Sequence, residues 1–394
     1  MSCSKDDGPG AIQQDQLVIA ASLTEINQRD AVQFLVSAKN ESITDAVIYI
    51  SGVAISTYQH TFVEAGVYTI VAKKAGFKDS AEISITVNEE LLDIYISGFE
   101  MVNGEQLATY WKNGVAHHLT DGTYNSDSYA IAVHDSDVYV LVYDGYAIKY
   151  WKNDVEHIVH NQPGQHAGLG DMLVSDNGDI YIAGDFYENG KSIARYWKNG
   201  VVTNLNHGNN FTYARAIAVS GSDVYVAGVS QVSNLQGNIP IAVYWKNGVA
   251  VPLSDGTLHS YVSKIAVSGN DVHVVGHEHD GTGNYSAMYW KNGVATRLPN
   301  SVDASDIFIV DNDVYIVGRG GKMKYWKNGV PIDIGEGSFV NGISVSNGNV
   351  YSAGSIYNDD LNEGQAVYWK NSTVIPLTDG TSNASASAIT LVER

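Results

Sequence analysis

The chain has 394 residues and a formal net charge of −20, so it lacks the basic surface that nucleic acid or an anionic membrane requires. With 39 glycines, 25 tyrosines and only 7 prolines, the composition is all-β, neither helical nor disordered. The length suggests two or three domains, and no apolar run approaches bilayer-spanning length.

The single cysteine, Cys3, rules out a disulfide within the chain. It is followed by Ser4, Lys5, Asp6 and Asp7 and then by Gly8-Pro9-Gly10, a polar tether. This short run resembles the mature start of a bacterial lipoprotein, in particular the surface-export signal of Bacteroidetes outer-membrane lipoproteins. The resemblance implies lipidation at Cys3 and a lipid anchor as the only membrane contact. Residues 1–13 are therefore expected to be a lipoprotein tether.

From 14 to 88 the pattern is strand after strand: Leu17–Ala21, Ala31–Ala38, Ala46–Ser51, Val67–Ala72 and Ala81–Val87, mostly with period-two alternation. The last two resemble the closing strands of bacterial immunoglobulin-like domains. That likeness implies a β-sandwich with a corner tyrosine at Tyr68 and apolar Ile70 in place of a second cysteine. Nothing in this segment looks catalytic, and a spacer is expected.

From 89 to 394 the chain repeats. Tyr-Trp-Lys occurs at Trp111, Trp151, Trp197, Trp245, Trp290, Trp326 and Trp369, which are all 7 tryptophans. The intervals run from 36 residues (Trp290 to Trp326) to 48 (Trp197 to Trp245), the size of one four-stranded blade. One repeat reads as strands at Ile217–Val219, Val224–Ala227, Ala242–Lys246 and Val249–Leu253, with Asn247-Gly248 as a type I′ turn. Asn153-Asp154 and Asn371-Ser372 depart from Asn-Gly, so strain or another turn type is expected there. The second strand, led by an aspartate, occurs at Asp93, Asp137, Asp179, Asp223, Asp271 and Asp313, with Asn349 as the variant. The first copy has no preceding first strand, whereas the chain ends on an orphan one, Ala388–Val392. The expected fold is an immunoglobulin-like sandwich followed by a seven-bladed β-propeller with velcro closure by the C-terminal strand.

The tryptophans are read as packing between blades, and the repeated aspartates as turn formers that accept backbone hydrogen bonds. Asp176-Asn177-Gly178-Asp179 is only faintly like a calcium loop, because the downstream glutamate is missing. His277 and His279, with His273 upstream and Asp280 as a third ligand, form the best metal candidate. A substituted core position explains His273 equally well, and no metal or other cofactor is expected.

Binding is expected on one face. The second-to-third and fourth-to-first connections vary, and the long ones are placed at Gly98–Leu107, Gly184–Ile193, Gly228–Ile241, Gly276–Ser286 and Gly354–Gln365. Tyr124, Tyr129, Phe186, Tyr187, Phe211, Tyr213, Tyr261, Tyr285, Phe339 and Tyr357 lie among them, and such rings stack on sugars. The opposite, tight-turn face reads as uniform and flat. At the top of the innermost strand, Asp171, Lys264 and Asp306 stand where other repeats have small residues, with Arg215 one position early. That arc is either a ligand site or a salt-bridge network.

The expected ligand-binding residues are Phe186, Tyr213, Arg215, Tyr261, Lys264, Asp306 and Asp171, and no catalytic residue is assigned. The expected function is a monomeric, non-catalytic, surface-exposed outer-membrane lipoprotein that recognises a glycan or a surface protein. The alternative is a propeller carbohydrate-active enzyme, a glycoside hydrolase or polysaccharide lyase. No Ser-His-Asp arrangement, phosphate loop or sialidase Asp-box supports a specific chemistry.

Overall fold

The computed structural model describes residues 14–394 apart from 90, 145–146, 162–166, 189, 209–210, 235–236, 280–281, 321, 336, 338 and 359–362. Cys3 and Asp280 lie outside the described residues. The chain forms two compact units, Met1–Leu91 and Leu92–Arg394.

The first unit is two sheets over one core. Val18–Ala21, Ala31–Ala38 and Glu41–Ser42 make one sheet, and Gln59–Thr61 pairs on Ala31–Ala38. Glu25–Asn27, Ile83–Asn88, Gly66–Lys73, Val47–Ile50 and Val53–Ile55 make the other, in that spatial order. Alternation places Val32, Phe34, Val36, Ile48, Ile70 and Ile85 in the core. The Tyr68 hydroxyl donates to the Glu64 carbonyl four residues upstream at 3.0 Å, the bond a corner tyrosine makes.

The second unit is propeller-like. Its described residues form seven four-stranded antiparallel sheets. Six are sequential; the other joins Ala384–Glu393 to Leu92–Val102, Glu105–Lys112 and Val115–His118. We number this last sheet 1 and the others 2 to 7 in chain order. In that order the innermost strands are Ala384–Glu393, Ser126–His134, Ala167–Val174, Phe211–Ser220, His259–Ser268, Asp303–Val310 and Phe339–Ser346. Each packs beside the next, and Ala384–Glu393 packs beside both Phe339–Ser346 and Ser126–His134.

The repeat motif has one physical explanation throughout. Each tryptophan is buried against the preceding sheet: Trp245 with Tyr181 and Ala183, Trp290 with Tyr225 and Ala227, Trp111 with Tyr351 and Ala353. The lysine after it reaches back across the hairpin, as Lys246 does to Asp223 at 2.7 Å, lying 5.1 Å from the Tyr225 ring. The turn asparagine clamps the second strand. Asn247 Oδ1 accepts from the Val224 amide at 2.9 Å, and its Nδ2 donates to Asp223 at 2.7 Å. The leading aspartates therefore hold the asparagine and lysine side chains, a role different from the backbone capping expected of them. This clamp recurs at Asn113, Asn153, Asn199, Asn292 and Asn328, and Asn371 uses Asn349 instead.

Asn153 and Asp154 both take positive φ, 47° and 65°, the same conformation as Asn247 and Gly248 at 50° and 84°. Asp can adopt the left-handed region at modest cost, so that hairpin keeps the common turn type.

The expected long loops are a correction. The second and third strands run on as hairpins: Leu92–Val102 to Glu105–Lys112, Asp223–Asn234 to Gly237–Lys246, and Asp271–His279 to Tyr285–Lys291. Ladder hydrogen bonds need register, not alternation, so polar segments extend as strands.

Candidate functional site

Every innermost strand carries a one-residue bulge against its second strand. The register shifts leave Ser387, Tyr129, Gly170, Arg215, Ser263, Ser305 and Asn341 as the extra residues. A bulge re-aims its side chain and bends the strand. In six sheets the facing residue of the second strand is glycine. A Cβ on Gly228, for example, would collide with the Tyr213 carbonyl. Sheet 2 carries Val142 there.

A cavity of about 570 Å3 opens among these bulges, lined by Tyr129, Tyr143, Gly168, Gly170, Arg215 and Ser263. Arg215 Nη1 donates to Asp185 Oδ1 at 3.0 Å and to the Ala214 carbonyl at 3.1 Å, and Asp185 Oδ2 accepts from the Ser192 hydroxyl at 2.8 Å. Burial raises the Asp185 pKa, and Arg215 opposes the shift. The guanidinium lies 5.7 Å from the Tyr213 ring. Burial also raises the Tyr129 phenol, with further contributions from the charges of Asp127 and Tyr143.

Asp127 was not legible as a site residue. Burial pushes its carboxyl up to about 7, and Oδ1 is enclosed without a hydrogen-bond partner among the described residues. It stands opposite Tyr143 in the ladder.

The arc of Asp171, Lys264 and Asp306 is densely bonded. Lys264 Nζ lies 2.8 Å from Asp171, whose oxygens accept from the Met172 amide at 2.9 Å and the Ile217 amide at 3.3 Å. Asp306 accepts from the Ile307 and Ile343 amides at 2.8 and 2.9 Å. Both carboxylates thus tie one innermost strand to another, Asp171 to the next sheet's and Asp306 likewise. Burial lifts Asp306 to about 6.

Phe186 is corrected from a surface ring to a core one. It is 1% exposed, 3.9 Å from the His160 ring and 5.8 Å from Trp197. Among the other named rings, Tyr129, Phe211, Tyr213, Tyr261 and Phe339 sit on innermost strands, and Tyr187, Tyr285 and Tyr357 on hairpin strands.

His277 and His279 do share one side. His277 stacks on Tyr261 at 5.1 Å, and His279 lies 4.7 Å from His259 and 5.0 Å from Tyr285. His273 is a core residue bonded to the Tyr289 hydroxyl at 2.7 Å. Among the described residues no group of three His, Cys, Asp or Glu converges on a metal position. The tight-turn side is not flat: cavities of about 720 and 600 Å3 open there, beside Ser175, Asp176 and Ser222, and beside Asp311, Ser346 and Glu393.

No protein-family model and no curated protein matches the chain. Among solved structures it is similar to TolB from Acinetobacter baumannii, at 12% identity over 70% of this chain and 78% of that one, with a TM-score of 0.43. It is similar to an auxiliary nutrient binding protein from Bacteroides thetaiotaomicron, at 10% identity over 97% and 99%, with a TM-score of 0.38. It is also similar to an ulvan lyase from a new family of polysaccharide lyases, at 11% identity over 75% and 91%, with a TM-score of 0.44.

Proposed function

We propose that this chain is a non-catalytic surface-binding lipoprotein that recognises a glycan. In this reading residues 1–13 tether it to the outer membrane through lipid on Cys3. Residues 14–88 are an immunoglobulin-like spacer, and residues 89–394 are a monomeric seven-bladed propeller closed by the C-terminal strand. Tyr68 and its bond to Glu64 support the immunoglobulin-like assignment. The pairing of Ala384–Glu393 with Leu92–Val102, and the burial of Trp111 against the last sheet, support the closure.

The observation that carries the binding reading is the cavity at the bulges, with aromatic walls and an arginine at its edge. The other charged groups of the arc are engaged with protein partners, as suits a rigid recognition surface. Tyr213 and Tyr261 flank Arg215 and Ser263 and offer partly exposed rings. The test is a glycan array on the full chain, followed by affinity measurements on the Tyr213→Ala, Tyr261→Ala double variant. Binding should fall by about tenfold or more, since each stacked ring contributes about 1 kcal/mol. Unchanged affinity sinks the assignment of these rings, and retention of a surface protein instead of a glycan shifts the ligand class.

One observation favours the enzyme reading. Asp127, with a carboxyl at about 7 near Tyr129, has the poise of a general acid or base. Appearance of new reducing ends or unsaturated products from a bound polysaccharide would establish it.

A further inference from the structure

We infer that the cavity between Tyr129 and Arg215 is a subsite for one neutral, hydroxyl-rich ring, a neutral sugar residue and not a uronic or sulfated one. This rests on the glycan-binding reading above and adds the ligand's charge and the residues that select it.

The cavity's shape comes first. Its floor is bare backbone at Gly168 and Gly170. A Cβ at Gly170 would press to 3.0 Å on the Ala214 and Arg215 carbonyl oxygens, and one at Gly168 would strike the Asp185 carboxylate. The glycines let the Asp185 carboxylate and the Ala214–Arg215 backbone pack directly against this strand, which fixes the Arg215 edge of the cavity. Tyr129 forms one wall and is 43% exposed, although it sits at a bulge on an innermost strand. Tyr143 and Arg215 complete the lining. At about 570 Å3 the space falls within the range of about 300–1,000 Å3 usual for small-ligand sites.

Charge selects the occupant. The charged residue in the cavity lining is Arg215, and it is ion-paired already, to Asp185 at 3.0 Å. An anionic sugar would have to compete with the Asp185 carboxylate for Arg215. A neutral ring avoids that cost, because its hydroxyls both donate and accept. The Arg215 guanidinium has five N–H donors, and its side chain remains 41% exposed despite the Asp185 pair.

The experiment titrates the full chain, by calorimetry, with two probe sets of equal length. One set is neutral gluco-, manno- and xylo-hexaoses; the other is hexamers of galacturonate and of alginate. A neutral hexaose should bind at least about tenfold more tightly than either uronate. Tyr129→Ala should weaken the neutral probe by about tenfold or more, while Tyr129→Phe, which keeps the ring, should restore it. Circular dichroism and melting of each variant confirm that the fold is kept. Tighter uronate binding overturns the ligand class. Neutral binding that survives Tyr129→Ala but is lost in the Tyr213→Ala, Tyr261→Ala variant overturns this subsite and leaves the glycan-binding reading standing. Failure of both probe sets, together with an empty glycan array, overturns that reading and this inference with it.

Discussion

Trp245 and Trp290 occupy the same repeat position and are both fully buried, yet only one indole is satisfied. Trp245 Nε1 donates to the Asn206 carbonyl at 2.9 Å, whereas Trp290 Nε1 is enclosed without a partner among the described residues. Removing a bonded buried donor leaves its acceptor unpaired; removing an unpaired one relieves a desolvation cost. Phe substitution removes the same volume at both sites, so Trp245→Phe should be the more destabilising by about 1–2 kcal/mol in urea melts. Equal costs would show that both indoles are satisfied. Asp127 offers a test of a different kind. Its folded pKa of about 7 lies above the about 3.9 of an unfolded aspartate. Between those values the unfolded chain has released a proton that the folded one retains, so the stability tied to this carboxyl is fully present below pH 4 and is lost as pH rises to 7. Asp127→Asn should remove that decline, and its melting temperature should gain on the parent as pH goes from 4 to 8. A difference independent of pH would mean that Asp127 ionises normally. This residue was illegible in the sequence because its significance depends on the bulge at Tyr129, and one unpaired residue leaves no periodic trace.

The repeated hairpin shows what local sequence specifies and where it stops. Tyr-Trp-Lys-Asn-Gly was legible because the turn needs positive φ, the tryptophan needs burial, and both recur at one interval. Strand ends were not legible. Residues 228–241 contain glycine, serine, glutamine, asparagine and proline, which read as a loop, yet Gln231 faces Pro240 and Val232 faces Ile239 in an unbroken ladder. In the first unit, Glu41–Ser42 and Val53–Ile55 are too short for alternation to register. Gly228 marks the tightest point of this element. The Tyr213 carbonyl occupies the place of its missing Cβ, so Gly228→Ala should cost about 1–3 kcal/mol or more by overpacking against backbone that cannot swing aside. The contrast is Val142, which holds the same register in sheet 2 and is fully buried. Bulging alone does not demand glycine, and Val142→Gly should therefore destabilise sheet 2 by leaving a cavity. Urea midpoints of both variants test the pair. A silent Gly228→Ala would mean that the carbonyl of Tyr213 moves freely.

For the molecule as a whole, the decisive contact is between the two ends of the second unit. Leu92 pairs with Glu393, Ile94 with Leu391 and Ile96 with Ile389, so the C-terminal strand lies along the first repeat strand over its full length. Ile389, Ala384 and Ala386 share a core with Trp111, Tyr351 and Tyr368, which places strands from sheets 1 and 7 around one cluster. Deleting Ala384–Arg394 would remove the innermost strand of sheet 1 and expose a free edge along Ile94–Gly98, a template for aggregation. The truncated chain should melt well below the parent or precipitate on heating. Truncation alone could act through misfolding of any kind, so a permutant supplies the positive arm. Because Leu92 faces Glu393, a two-residue Asn-Gly turn in place of Arg394 can join position 393 to position 92 as an ordinary hairpin. New ends can then be opened in the stretch before Ser126–His134, between sheets 1 and 2. That permuted second unit keeps every ladder and makes all seven sheets sequential. It should melt within a few degrees of the same unit in its natural order. If the truncation melts normally, or the permutant fails while the natural-order unit folds, the pairing of the two ends is wrong.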